Sequence, residues 1–255
     1  MQWISNFLLT LQKFFLPRQK LINKILLGIT ITLMAFWATM LYGSLFASWR
    51  VIPLMKGVGS KLSIVALGLF CLTLLPGIIK RLNLWPKLTL PIATLITPFR
   101  RQLGIMMFLT AFVHMSFSTT LPYLTLQLQF VKTVLPLTLA DKLQLLPSFL
   151  PPPFRLFEII ALIGWLILLP VWLTSNDLSQ KYLGKWWKRL QRLTYVAVWF
   201  IFLHIALQGE GWALAAGGIV LLEVLSWMVF WWRKHQTKST SPEKVTSSSP
   251  VSAVE

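Results

Sequence analysis

The sequence predicts an all-α integral membrane protein, a bundle of six transmembrane helices with both termini in the cytoplasm. Three observations lead there. Of 255 residues, 56% are hydrophobic and only 12% charged, with a mean hydropathy of +0.68, which excludes an ordinary soluble domain. Six uncharged runs approach or reach the ~20 apolar residues that a spanning helix needs, and a helix satisfies its own backbone hydrogen bonds where no water can. The basic residues are unevenly placed: 18 of the 24 lie on one side of these runs and six on the other. The richer side is cytoplasmic by the positive-inside bias. The net charge of +17 is then met by anionic lipid headgroups, and nucleic acid is not needed as a partner.

Residues 1–24 form an N-terminal segment that ends its first helical stretch at Pro17. Residues 1–16 alternate apolar and polar positions loosely at helical spacing, which predicts an interfacial helix on the cytoplasmic surface. The six-helix domain covers residues 25–232. Its first run, Ile25 to Ala47, is too long for a signal-peptide core and lacks an A-x-A cleavage site. The second is Leu62 to Ile79. Leu88 to Phe99 is too short to cross and contains Pro91 and Pro98, so it is expected as a surface-lying or re-entrant helix on the cytoplasmic side; a seventh crossing would invert the charge bias of everything after it.

The third run, Leu103 to Tyr123, leads into an outer connection from Leu124 to Phe154. Within it, Leu137 to Leu146 reads as a short amphipathic helix stopped by Pro147 and stiffened by Pro151, Pro152 and Pro153, either a cap over the bundle or a tether. The remaining runs are Leu156 to Thr174, Leu193 to Gln208 with a start near Leu190, and Trp212 to Trp232. Trp49, Trp85, Trp172, Trp186, Trp187, Trp212, Trp231 and Trp232 fall near run ends, where indoles favour the membrane interface. Residues 233–255 form a cytoplasmic tail, and from Gln236 onward its Ser, Thr, Pro and Val content predicts disorder.

Two histidines lie inside these runs. His114 follows Arg101 by 13 residues and His204 follows Arg192 by 12, so each imidazole lies roughly 18–20 Å from its flanking charge at ~1.5 Å rise per residue. The matched depth lets them face each other. An imidazole in lipid needs a partner. Either a shared group holds both rings, haem iron being the candidate, or each ring is satisfied locally by a backbone carbonyl or by Ser116 or Ser118 for His114.

Other polar groups in the runs carry less. Glu223 is about eleven residues into the sixth run; a charge there is expensive, so it is expected protonated or hydrogen-bonded to another helix, with a proton relay as the functional alternative. Arg100 and Arg101 read as headgroup anchors, and His235 as a solvated tail residue. The lone Cys71 excludes an intramolecular disulfide, an iron–sulfur cluster and a cysteine-rich zinc site. No Gly-rich dinucleotide fingerprint, P-loop or H-E-x-x-H is present, so no intrinsic flavin or nicotinamide site is expected.

Several blocks occur in a fixed order along the chain: Thr73-Leu74-Leu75-Pro76, Thr97-Pro98-Phe99-Arg100-Arg101-Gln102-Leu103-Gly104, His114, Leu173-Thr174-Ser175, Leu183-Gly184-Lys185-Trp186-Trp187, Leu190, Tyr195 and His204. With them, roughly residues 57–232 resemble the ferric reductase-like transmembrane domain family, and within it the MsrQ-type membrane haem subunits of bacterial methionine sulfoxide reductase systems. The resemblance implies b-type haem held by histidines on facing helices, with His114 and His204 as the axial ligands of its iron. It also implies electron transfer across a membrane, here expected to be a bacterial inner membrane, to ferric ion or a partner reductase subunit on the outer side; the donor is open between a flavoprotein, a membrane quinone and an outer-side donor.

The family often carries a second histidine 13 residues before the one matching His204. Here that position is Gln191, and the matching step back from His114 reaches Arg101. One bis-histidine haem in the outer half of the membrane is therefore expected. The alternative is a haem-free scaffold or assembly subunit built on the same fold. A transporter fits less well, since the runs show no inverted repeat of broken helices around a midplane site.

Overall fold

A computed structural model describes residues 2–46, 51–125, 155–209 and 211–239. The expected helix at 137–146 and the tail from 240 onward lie outside the described residues. Among the described residues the chain is helical, without strands, and six helices are long and apolar enough to cross a membrane.

Helix α1 (Gln2–Phe15) turns at Pro17 into α2 (Gln19–Phe46), the first crossing. Helix α3 (Val51–Leu82) returns and keeps Pro76 within its length. Asn83 and Trp85 then take positive φ of 47° and 44°, which stops the helix, and Pro86 opens α4 (Pro86–Ile96) at a position where a missing N–H costs nothing. A short 3-10 turn, Thr97–Phe99, joins α4 to α5 (Arg100–Met115). The short helix expected at 88–99 is therefore present. It packs on α1, where Gln12 Nε2 donates to the Pro91 carbonyl at 2.7 Å.

After His114 the backbone widens into a π-helical turn, Ser116–Thr120, and stays helical through 125. Beyond the 126–154 connection come α6 (Leu156–Leu173), the short α7 (Asp177–Leu183) and α8 (Lys185–Gln191), then α9 (Leu193–Gln208) and α10 (Ala213–Ser239). Gly184 (φ 48°) separates α7 from α8 and Gly209 (φ 72°) ends α9, both in the left-handed region that glycine enters without a Cβ penalty. Helix α10 continues past Gln236, into residues expected to be disordered; His235 packs near Trp231, their ring centroids 6.4 Å apart, and the Lys234 ammonium sits 5.1 Å over the same indole. These contacts over three and four residues hold the turn that leads into this extension.

The bundle core sits where α3, α5, α6, α9 and α10 converge, around Phe70, Leu74, Met107, Phe108, Leu168 and Val198. A second cluster at one end joins Met55, Val113, Phe117 and Leu121 to Trp37 and Met40 of α2. Large apolar side chains such as Ile25, Leu162, Leu214 and Leu221 point outward. An outward-facing apolar surface suits lipid as the surrounding solvent and would be unstable in water. Up-and-down connectivity gathers Arg81, Arg100, Arg101, Lys188 and Arg192 at one end of the bundle, called here the basic end.

Candidate functional site

A cavity of about 310 Å³ opens between α3, α5, α6 and α9, away from the basic end. Its walls are mainly apolar, including Leu67, Phe70, Met107, Ala111, Leu162 and Trp165, and both His114 and His204 line it. The two histidines paired by depth in the sequence are thus brought to one space.

Their hydrogen bonds fix the chemistry of the rings. His114 Nδ1 lies 2.8 Å from the Gly59 carbonyl and His204 Nδ1 lies 2.8 Å from the Phe157 carbonyl. A carbonyl only accepts, so in the neutral imidazole the ring proton belongs on Nδ1, and Nε2 carries the lone pair. This is the tautomer a metal-ligating histidine needs, oriented by an outer partner. Ser118 Oγ stands 3.3 Å from His114 Nδ1, a longer contact beside the carbonyl. The local partners that would satisfy a histidine in lipid are present. The two carbonyl bonds engage Nδ1, and in that tautomer the lone pair that a metal would take is on Nε2.

The surrounding helices meet closely at both points. A Cβ on Gly59 would fall 2.8 Å from Ser118 Oγ and 3.2 Å from Phe117 Cβ, and one on Gly164 would fall 2.9 Å from Phe200 Cβ. Absence of these Cβ atoms lets α3 approach α5, and α6 approach α9, within reach of the two imidazole–carbonyl bonds. Trp165, whose ring lines the cavity, has a buried indole N–H with no hydrogen-bond partner among the described residues.

Among the described residues, no three His, Cys, Asp or Glu side chains converge to hold a metal ion. A bare ion between the helices would have too few protein ligands here, whereas haem brings its own equatorial nitrogens and asks the protein only for axial ones. Two Nδ1-anchored imidazoles lining one mainly apolar cavity fit that group. Gly59, Phe157 and Trp165 were not legible as site residues in the sequence: the first two act through main-chain carbonyls, to which side-chain identity gives no clue.

A second cavity, about 390 Å³, lies at the basic end. Arg100, Arg101, Lys188 and Arg192 line it with Trp172, Trp187, Tyr195 and Gln191. Both positions where a second histidine pair would stand, Gln191 and Arg101, face this space, and the structure places no histidine there. Met107 and Leu168 line both cavities and so form part of the partition between them. Arg101, expected as a headgroup anchor, makes contacts within the protein: its Nε donates to the Ser175 carbonyl at 2.7 Å and its Nη1 pairs with Asp177.

Glu223 lines neither cavity. Its carboxylate forms a buried ion pair with Arg81 and accepts from Trp227 Nε1 at 2.9 Å, while Arg81 Nε donates to Ser226 Oγ at 2.8 Å. The guanidinium also lies 4.6 Å from the Trp227 ring centroid and 5.6 Å from that of Tyr195. This network ties α3 and α9 to α10. The expectation of a hydrogen bond to another helix holds, and the partner, Arg81, lies two residues beyond the end of the second apolar run.

A family model described as ferric reductase like transmembrane component matches residues 62–203. Magnetosome protein MamZ of Magnetospirillum gryphiswaldense is 33% identical over 144 residues, which cover 54% of this chain and 18% of that protein. The chain therefore corresponds to less than a fifth of this relative's length. No solved structure matches the chain.

Proposed function

The chain belongs to the ferric reductase-like transmembrane component family, and from that premise we propose that it is a membrane electron-transfer protein carrying one b-type haem between His114 and His204. The observation that carries this reading is that two imidazoles, each held through Nδ1 by a main-chain carbonyl of a neighbouring helix, share one apolar cavity. Bound haem supplies reversible one-electron chemistry at its iron. The chain's own residues do the rest. Gly59 and Phe157 orient the ligating rings, Phe70, Met107 and Trp165 keep the slot dry, and the carbonyl partners raise ligand basicity.

The same reading places the protein in a bacterial inner membrane with both termini in the cytoplasm. Its haem is then in the outer half, fed by a quinone or flavoprotein and drained by ferric ion or an outer-side reductase subunit. It makes the protein an oxidoreductase component with no flavin of its own. Reduced-minus-oxidised difference spectroscopy of the purified protein, with His114→Ala and His204→Ala beside it, tests the proposal. A sharp haem spectrum in the wild type, lost or shifted to a five-coordinate form in each variant, supports it. A colourless wild type reconstituted with haemin would instead favour a haem-free scaffold.

A further inference from the structure

The two cavities are joined by a stack of rings. Trp165 and Trp172 are seven residues apart on α6, about 10 Å along the helix axis at ~1.5 Å per residue, and Phe108 of α5 fills the interval between them. Its ring lies 4.9 Å from that of Trp172 at an interplanar angle of 15°, and 4.9 Å from that of Trp165 at 20°. Phe108 is buried in the bundle core. At one end of the stack Trp172 and Phe108 line the basic-end cavity, and at the other Trp165 lines the histidine cavity.

Among the described residues, other ring contacts within the bundle include edge-on pairs, as for Phe36 with Phe117 (76°), Tyr195 with Trp227 (89°) and Trp227 with Phe230 (88°), and a tilted one of Phe112 with Trp165 (31°). Offset-stacked and edge-on pairs are both ordinary packing geometries; what distinguishes this stack is its placement, three near-parallel rings that start in one cavity and finish in the next. The entry end is electropositive, walled by Arg100, Arg101, Lys188 and Arg192, and such a concave basic surface concentrates anionic reactants.

We propose that Trp172, Phe108 and Trp165 form the conducting bridge by which an electron entering at the basic-end cavity reaches the group held by His114 and His204. The inference rests on the haem reading above. The bridge does what a second metal centre at the Gln191 level would otherwise do: it carries overlapping π orbitals across the partition made by Met107 and Leu168. One electron leaves a one-electron reductant at the basic end and one ferric iron becomes ferrous. No bond is made or broken, no proton moves, and the three rings are unchanged afterwards.

The test uses full-length protein in lipid nanodiscs, with Cys71→Ala and Gln180→Cys, labelled at the new thiol with a ruthenium photoreductant; Gln180 is exposed and lines the basic-end cavity. A laser flash starts intramolecular reduction, followed at the haem band. Phe108→Leu is expected to slow the transfer at least about tenfold, and Phe108→Tyr to keep it within about twofold of wild type. Trp172→Leu, whose ring does not line the histidine cavity, is expected to slow it by a similar factor with the haem spectrum unchanged. Near-ultraviolet circular dichroism of the haem-free protein reads the stack independently, with the indole signal changed by Phe108→Leu and kept by Phe108→Tyr.

Unaltered transfer rates in Phe108→Leu and Trp172→Leu with haem bound would overturn the bridge, as would equal slowing by Phe108→Leu and Phe108→Tyr. Absence of a haem band before the flash, in wild type and variants alike, would overturn the underlying reading instead, so the two failures are told apart.

Discussion

Gly164→Ala probes the geometry of the site without touching either histidine. An added Cβ would lie 2.9 Å from Phe200 Cβ, against an ordinary contact that begins at 3.4 Å. Phe200 Cβ is fixed to its backbone and cannot swing away, so α6 and α9 must part by about 0.5 Å, a strain of the kind that costs ~1–3 kcal/mol in a packed core. The bond from His204 Nδ1 to the Phe157 carbonyl crosses the same interface at 2.8 Å. The same displacement takes it to about 3.3 Å, past the usual N–H···O range. Loss of such an outer partner typically lowers metal affinity ~10–100-fold.

Haem titration of apoprotein in nanodiscs, followed by absorbance, should show a fall in affinity of about tenfold or more, together with a lower midpoint in detergent unfolding. Gly68→Ala is the control, because nothing lies within 4 Å of its added Cβ; it should bind haem as the wild type does. Equal affinity and stability for Gly164→Ala and wild type would refute the argument that the α6–α9 approach sets the orientation of His204.

The remaining expectations concern the ion pair, the serine and the missing histidine. Glu223→Leu strands the Arg81 guanidinium, which is only 11% exposed, and should destabilise the bundle by ~3–5 kcal/mol in reversible unfolding; Glu223→Gln, which still accepts hydrogen bonds, should lose less. Ser118→Ala removes the 3.3 Å contact and leaves the 2.8 Å carbonyl bond, so the haem spectrum should be unchanged and stability altered by less than ~1 kcal/mol. Gln191→His puts one imidazole into the basic-end cavity opposite Arg101, not opposite a second histidine; quantitation of haem per chain should still give a single equivalent, and a second would contradict the assignment.

Much of the fold is legible from hydrophobic run length alone, because lipid demands helices of fixed reach. The fourth run predicts Leu156 to Thr174 and α6 spans Leu156–Leu173. Helices α3 and α10 run well past their apolar stretches, Leu62 to Ile79 and Trp212 to Trp232, because packing and local side-chain contacts extend helices where hydropathy has already fallen. That His114 and His204 line one cavity was legible because a polar ring in lipid demands an explanation and two at one depth invite a common one. Their carbonyl partners were hidden, since any residue has a carbonyl. Arg81 was not legible as the partner of Glu223: it lies two residues beyond the second apolar run, and only the tertiary fold brings the two together. The parallel stack of Phe108 between Trp165 and Trp172 needs the registry of α5 against α6, which no single-helix pattern contains.

Low-temperature electron paramagnetic resonance of the oxidised wild-type protein tests the central claim most directly. A low-spin ferric signal of bis-imidazole type, converted to a high-spin signal or abolished by His114→Ala and by His204→Ala separately, is the predicted result. A low-spin signal that survives either substitution, or a wild type that is high-spin, would contradict it.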